Sequence, residues 1–106
     1  MKVKVFHAAF ESKSVHIATV EAPDEEHEDA CEYAYRCTQN INDCWSKSGN
    51  AAVTVEVPVG KLGHRSTWVG DYCEVAGQLY QCAGIGFRPV DRIECMNHLD
   101  CRVAGF

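Results

Sequence analysis

The chain has 106 residues, of which 46% are hydrophobic and 24% are charged, and its formal net charge is −5. This length predicts that residues 1–106 form a single domain with one ordinary hydrophobic core. The excess of acidic residues argues against general nucleic-acid binding. No apolar run is long enough to cross a bilayer and residues 1–10 lack a secretory signal, so we expect a cytoplasmic protein that does not contact membranes.

The N-terminal residues alternate between apolar and polar side chains, as β-strands do. Val3 and Val5 fall on one face, and the alternation resumes at Val15, Ile17 and Thr19. Two strands joined through residues 11–14 are therefore predicted. This loop contains neither Gly nor Asn, so its turn type stays open.

The period becomes helical after Pro23. Pro23 and Asp24 are suited to the start of a helix, and the acidic run at 24–29 places negative charge where the helix dipole favours it. One apolar stripe follows, made of Ala30, Cys31, Ala34, Tyr35, Thr38 and Ile41. We interpret the acidic run as the solvated start of one amphipathic helix, with an acidic docking patch as the alternative.

The middle of the chain predicts a bulky core anchor and an edge strand. Trp45 is expected to close one end of the core. The sequence AVTVEVPV at 52–59 places four valines on one face of a strand. Pro58 limits this strand, because a proline is tolerated only at an edge of the sheet or at a strand terminus, and we expect the strand to form an exposed edge.

Two further strands are predicted after Gly63. Residues 64–69 are expected to be extended, Gly70 and Asp71 form a turn, and a hairpin bends at Ala76 and Gly77. The pattern weakens beyond Phe87, which leaves 91–106 as a weakly patterned tail. The fold class is therefore α+β, with one main helix packed on a mainly antiparallel sheet of about five short strands.

Seven cysteines are present, and they contain no C-x-x-C pair. The odd number argues against a disulfide framework and favours reduced, buried thiols. Cys95, His98 and Cys101 have the residue types of a zinc site, but a regular helix cannot bring positions i and i+6 to one ion and no fourth ligand is evident. No cofactor or metal is assigned, and metal binding by these three residues stays an alternative.

Five residues of the segment HRSTWVGD at 64–71 are the candidate binding residues: His64, Arg65, Ser66, Trp68 and Asp71. The segment contains the residue types of a nucleophilic triad, but no nucleophile elbow accompanies them, so no catalytic residue is assigned. A structural role is favoured, in which Asp71 accepts hydrogen bonds from amides near residues 66–68 and pairs with Arg65. If their side chains are exposed, His64, Arg65 and Trp68 would then form a surface that binds a carboxylate, a phosphate or a peptide.

This segment also resembles a motif of small proteins carried by phages, plasmids and integron gene cassettes, including the YodL-like domain. The resemblance covers residues 31–90, and Trp68 departs from it, since a small hydroxyl residue is more usual there. The matching positions are Thr38, Gln39, Asn40, Trp45, Arg65, Ser66, Val69, Gly70, Asp71, Gly77, Tyr80, Gly86 and Phe87. The resemblance implies a mobile-element origin and a cytoplasmic setting, and it carries no enzymatic activity or ligand.

Together these observations favour a non-enzymatic accessory protein of a mobile element. It would bind another protein, or itself as a homodimer, through a face or an edge of its sheet. The alternatives are a small ligand-binding protein or enzyme that uses the loop from His64 to Asp71, and a metal-stabilised domain.

Overall fold

The computed structural model describes residues 1–95, which contain one helix and six β-strands. The strands are β1 (Lys2–His7), β2 (Val15–Glu21), β3 (Val53–Val55), β4 (Tyr72–Val75), β5 (Gln78–Cys82) and β6 (Phe87–Val90), and the helix is α1 (His27–Cys37). All five strand pairings are antiparallel. The predicted α+β class is confirmed, with one strand more than expected.

The strands form a single sheet in the order β3-β2-β1-β4-β5-β6. The N-terminal strand β1 is therefore central, and its Val3 pairs with Val20 on one side and with Val75 on the other. The prediction that the valine-rich strand lies at an edge is confirmed, since β3 ends the sheet on one side.

The helix packs on one face of this sheet and the core lies between them. Ala30, Cys31 and Ala34 are the buried residues of α1, and their small side chains let the helix approach the sheet closely. They cover buried strand residues that include Val3, Val5, Val20, Cys73 and Val75. Full burial of each valine contributes roughly 1.5–3 kcal/mol to folding. Trp45 is buried in the same cluster, as predicted.

The helix begins later and ends earlier than its sequence pattern predicts. It starts at His27 rather than at Pro23, because the amide of Ala22 still bonds to the Met1 carbonyl and the chain then needs residues 23–26 to leave the sheet. Ile41, predicted on the apolar stripe, lies beyond the C-terminal residue Cys37 and is 79% exposed.

Three strand predictions also need correction. The valine-rich strand ends at Val55, because Pro58 cannot donate to a ladder. Residues 64–69 contain no regular strand, since their backbone bonds to loops instead. Strand β6 occurs where the pattern weakens, and its Pro89 is tolerated because β6 is the other edge of the sheet.

The six cysteines within residues 1–95 are free thiols. Cys31, Cys73 and Cys82 are buried as expected, whereas Cys37, Cys44 and Cys95 are half-buried. No helix in the described part of the chain is long and apolar enough to span a membrane.

The predicted hairpin at Ala76 and Gly77 is confirmed, with Val75 paired to Gln78. Both turn residues have a positive φ, +49° at Ala76 and +81° at Gly77, which is the type I′ geometry. Alanine is strained in that region, whereas Asn tolerates it and Gly prefers it.

We therefore expect Ala76→Asn to stabilise the protein by about 0.5–1 kcal/mol, measured by urea unfolding. The control is Ala51→Asn, at an exposed turn residue outside the set of positive-φ residues. An equal gain in both variants would show that the backbone strain at Ala76 has no energetic effect.

Candidate functional site

Asp71 joins two loops of the molecule through its fully buried carboxylate. Its Oδ1 accepts hydrogen bonds from the amides of Ala8 and Ala9, at 2.8 and 2.9 Å, and its Oδ2 accepts one from the amide of Trp68 at 2.7 Å. The bond to Trp68 confirms the predicted role of Asp71. The bonds to Ala8 and Ala9 were not predicted, because they come from a segment more than sixty residues away.

Arg65 pairs with Asp71 as predicted, and it uses all five of its N–H donors inside the protein. Two go to the Asp71 carboxylate at 2.8 Å each, two to the Glu11 carboxylate at 3.1 and 2.9 Å, and one to the Ser66 carbonyl at 2.8 Å. No donor of the guanidinium is left for a ligand. Arg65 therefore acts in the structure as a clamp between two loops.

The charges of this clamp stabilise each other. Burial alone raises the pKa of Asp71, but the hydrogen bonds from Arg65 and from the amides of Ala8, Ala9 and Trp68 outweigh it and hold that pKa below its usual value. The pKa of Glu11 is lowered in the same way, with Arg65 bonds overcoming the effect of burial. Both carboxylates therefore stay ionised well into the acidic range.

A small cavity of about 280 Å³ lies beside the clamp. His7, Glu11, His64 and Arg65 line its polar side. His7 is buried, because β1 turns its ring into the protein, where its Nε2 lies 3.0 Å from Thr67 Oγ1. Burial lowers the pKa of His7 to about 4, so the ring is neutral at physiological pH.

His64 and Ser66 bond to other loops and not to each other. The Nε2 atom of His64 lies 3.1 Å from the Val57 carbonyl, and the Ser66 Oγ accepts the amide of Asn40 at 2.8 Å. These two residues and Asp71 therefore have separate partners, and the arrangement is not that of a nucleophilic triad.

Residues 39–45 and residues 64–67 lie against each other, and both segments contain positions that match the predicted resemblance. The Gln39 side-chain amide donates to the Thr67 carbonyl, that of Asn40 donates to the His64 carbonyl, and the Trp45 indole donates to the Arg65 carbonyl, at 2.8 to 3.0 Å. The segment after α1 thus fixes the backbone of residues 64–67 through three side-chain hydrogen bonds.

Trp68 points away from these contacts and borders an apolar cleft of about 580 Å³. The cleft lies between the loop after β1 and the turn that joins β5 to β6. Trp68 is 54% exposed and Phe10 is 57% exposed, and Val69 is an exposed residue of the same lining. Arg88 is the charged residue among the described residues of its lining. Of the five candidate binding residues, Trp68 is the exposed one.

The clamp holds both aromatic walls of the cleft. Asp71 binds the amides of Ala9 and Trp68, and the Arg65 guanidinium carbon lies 4.8 Å from the centre of the Phe10 ring. A cation over an aromatic ring at this distance is an attractive contact. Buried charges therefore position exposed hydrophobic side chains, and sequence reasoning found Trp68 but missed Phe10, Val69 and Arg88.

Within residues 1–95 no three His, Cys, Asp or Glu side chains lie close enough together to hold a metal ion. Of the predicted cluster, His98 and Cys101 lie outside the described residues. Metal binding there stays an alternative, which elemental analysis of the purified protein would test.

The fold and site define a small α+β domain with a buried ion-pair clamp and an aromatic cleft. Comparison of the chain with protein-family models, curated proteins and solved structures gave no match. The resemblance to mobile-element proteins stays a prediction.

We expect Asp71→Asn to destabilise the protein by about 3–5 kcal/mol, because it leaves the Arg65 guanidinium partly buried without one of its two carboxylates. The matched control is Glu74→Gln, which removes an exposed pair with Lys4 and should cost less than about 1 kcal/mol. Urea unfolding measures both, and similar losses in the two variants would contradict the clamp.

Stability should also fall as the pH drops from 7 to 5. The folded-state pKa of His7, about 4, lies below its ordinary value of 6.5, so the unfolded chain binds a proton in this window that the folded protein does not. The expected loss is about 2 kcal/mol. His7→Gln should flatten the pH dependence of the unfolding free energy, and an unchanged slope in this variant would refute the assignment to His7.

Proposed function

We propose that the protein is a non-enzymatic interaction module that binds an extended segment of another protein in the cleft formed by Phe10, Trp68 and Val69. One observation carries the proposal: two aromatic side chains and a valine stay exposed around one cavity. Contiguous exposed apolar groups mark interaction sites, and rigid aromatic anchors dominate binding energies at such sites.

The cleft is a better docking surface than the edges of the sheet. Strand addition needs a row of free backbone N–H and C=O groups. Edge strand β3 has three residues with Pro58 soon after it, and edge strand β6 has four residues that include Pro89. These short edges, one of which contains a proline and the other of which is followed by one, offer few groups to an incoming strand. Side chains are therefore favoured over strand pairing as the means of recognition.

The setting that we propose is the cytoplasm, and the six free thiols within residues 1–95 support a reducing compartment. The proposed role is that of an accessory protein of a mobile genetic element. That origin depends on the motif resemblance alone.

A second candidate function is a small-ligand site in the cavity beside the clamp. The observation in its favour is the enclosure of two histidines, His7 and His64, together with Glu11 in one concave site in which the pKa values of His7 and Glu11 are shifted. Its weakness is that Arg65 and Asp71 are already committed to the clamp.

Selection from a random dodecapeptide library tests the interaction module. The wild-type protein should enrich peptides with one shared motif around an aromatic or large aliphatic residue, and Trp68→Ser should abolish that enrichment by removing one wall of the cleft. Leu62→Ser is the matched control, since Leu62 is 94% exposed and lies in the same connection between β3 and β4 but does not line the cleft. Absence of a motif, or a motif that survives Trp68→Ser, would refute the proposal.

Nuclear magnetic resonance with a fragment library distinguishes the two candidate functions. Shifts confined to the Trp68 indole and the Phe10 ring support the cleft, whereas shifts confined to the His7 and His64 rings support the small-ligand site. His64→Ala should then abolish the shifts at His7 in the second case and leave the shifts at the cleft unchanged in the first.

A further inference from the structure

Arg65 and Arg88 both lie beside the cleft in the described part of the chain, and they differ in how far hydrogen bonds and carboxylates satisfy their charge. Arg65 donates all five of its N–H groups to two carboxylates and a carbonyl. Arg88 donates two of its five N–H groups, one on Nε and one on Nη2, to the neutral Oε1 of Gln81. Within residues 1–95 no carboxylate pairs with Arg88, so its charge and three of its donors face solvent.

A chain of hydrogen bonds holds Arg88 in place. Gln81 accepts from Arg88 and donates through Nε2 to the hydroxyl of Tyr72 at 3.0 Å. That hydroxyl accepts the amide of Glu94 at 3.0 Å and donates to the Glu94 carbonyl at 3.2 Å. Tyr72 is itself buried. A guanidinium oriented by a buried tyrosine loses less freedom when it binds a ligand than an unrestrained one does.

Arg88 and Gln81 also form the wall between two neighbouring cavities. On one side is the apolar cleft, and on the other is a polar cavity of about 400 Å³ that Arg88, Asp91, Arg92 and Glu94 line. In the polar cavity Glu94 already pairs with Arg92 at 3.1 Å. A ligand in the apolar cleft therefore meets a positive charge with no acidic group beside it on that side.

We infer that the segment bound in the cleft is acidic: a carboxylate of Asp or Glu, next to the apolar side chain that enters between Phe10 and Trp68, pairs with Arg88. This inference rests on the proposed function and specifies its partner. The planar fork of a guanidinium matches a carboxylate, and the cleft supplies no competing anion among its described lining residues. The partner is thus another protein with an exposed aromatic or aliphatic residue flanked by an acid.

The test repeats the dodecapeptide selection with Arg88→Gln, which keeps a polar, hydrogen-bonding side chain but shortens it and removes its charge. Wild-type protein should enrich Asp or Glu at a constant distance from the apolar residue. Arg88→Gln should keep the apolar residue and lose the acid. The control Arg36→Gln removes an exposed arginine of α1 that pairs with Glu32, and it should leave the motif unchanged.

Fluorescence anisotropy of the most enriched peptide then measures the effect. Replacing its acid by the matching amide should weaken binding to the wild type roughly two- to fivefold, as expected for one exposed ion pair. Binding to Arg88→Gln should not distinguish the two peptides, and raising the salt concentration should reduce the difference in the wild type.

The outcomes separate this inference from the proposed function. A Trp68-dependent motif without an acid, or an acid preference that persists in Arg88→Gln, overturns the inference and leaves the interaction module standing. Loss of every Trp68-dependent motif overturns both. A motif that reproduces the chain's own acidic run at 24–29, with dimers in sedimentation equilibrium, would make the occupant a second copy and overturn the choice of another protein.

Discussion

The carboxylate of Asp71 is the interaction on which the rest of the structure depends. It is fully buried, and it holds the loop after β1 and the loop before β4 through three amides and one guanidinium. A charge in such a place is tolerated only when every lone pair has a donor. Because the donors come from two loops that are far apart in sequence, one at Ala8 and Ala9 and the other at Arg65 and Trp68, satisfying the charge also determines the path of the chain.

The same carboxylate makes binding and stability hard to separate. Trp68 and Phe10 cannot be stabilised in the cleft by burial, since both are largely exposed. Their positions come from backbone bonds to Asp71 and from the contact between Phe10 and Arg65. A substitution that loosens the clamp would therefore affect both the fold and the shape of the cleft.

Local patterns predicted much of this fold, and long-range contacts account for what they missed. The alternation of apolar and polar residues predicted β1, β2 and the strands on both sides of Ala76. The spacing of small apolar residues predicted the buried face of α1. The pairing of Arg65 with Asp71 was predictable because the two residues are near in sequence. The bonds from Ala8 and Ala9 to Asp71, and the burial of His7, depend on β1 lying beside β4, which no local pattern encodes.

Only part of the candidate site was predicted, because local patterns do not show which distant residues meet. Trp68 was singled out as a large aromatic beside an arginine, and it does border the cleft. Phe10 and Arg88 join it from a loop and a strand far away in the chain, so only the tertiary structure brings the three together. Arg65, which the sequence suggested as a ligand-binding cation, is instead saturated, and Arg88 carries the accessible charge.

The central position of β1 has a consequence for how the protein folds during synthesis. One edge of β1 pairs with β2, the next strand along the chain, but its other edge pairs with β4, whose residues are synthesised much later. Until then Val3 and Val5 belong to an open, apolar hairpin. Such delayed, non-local pairing slows folding and exposes the nascent chain to aggregation, so this small domain is one for which chaperone contact during translation would matter.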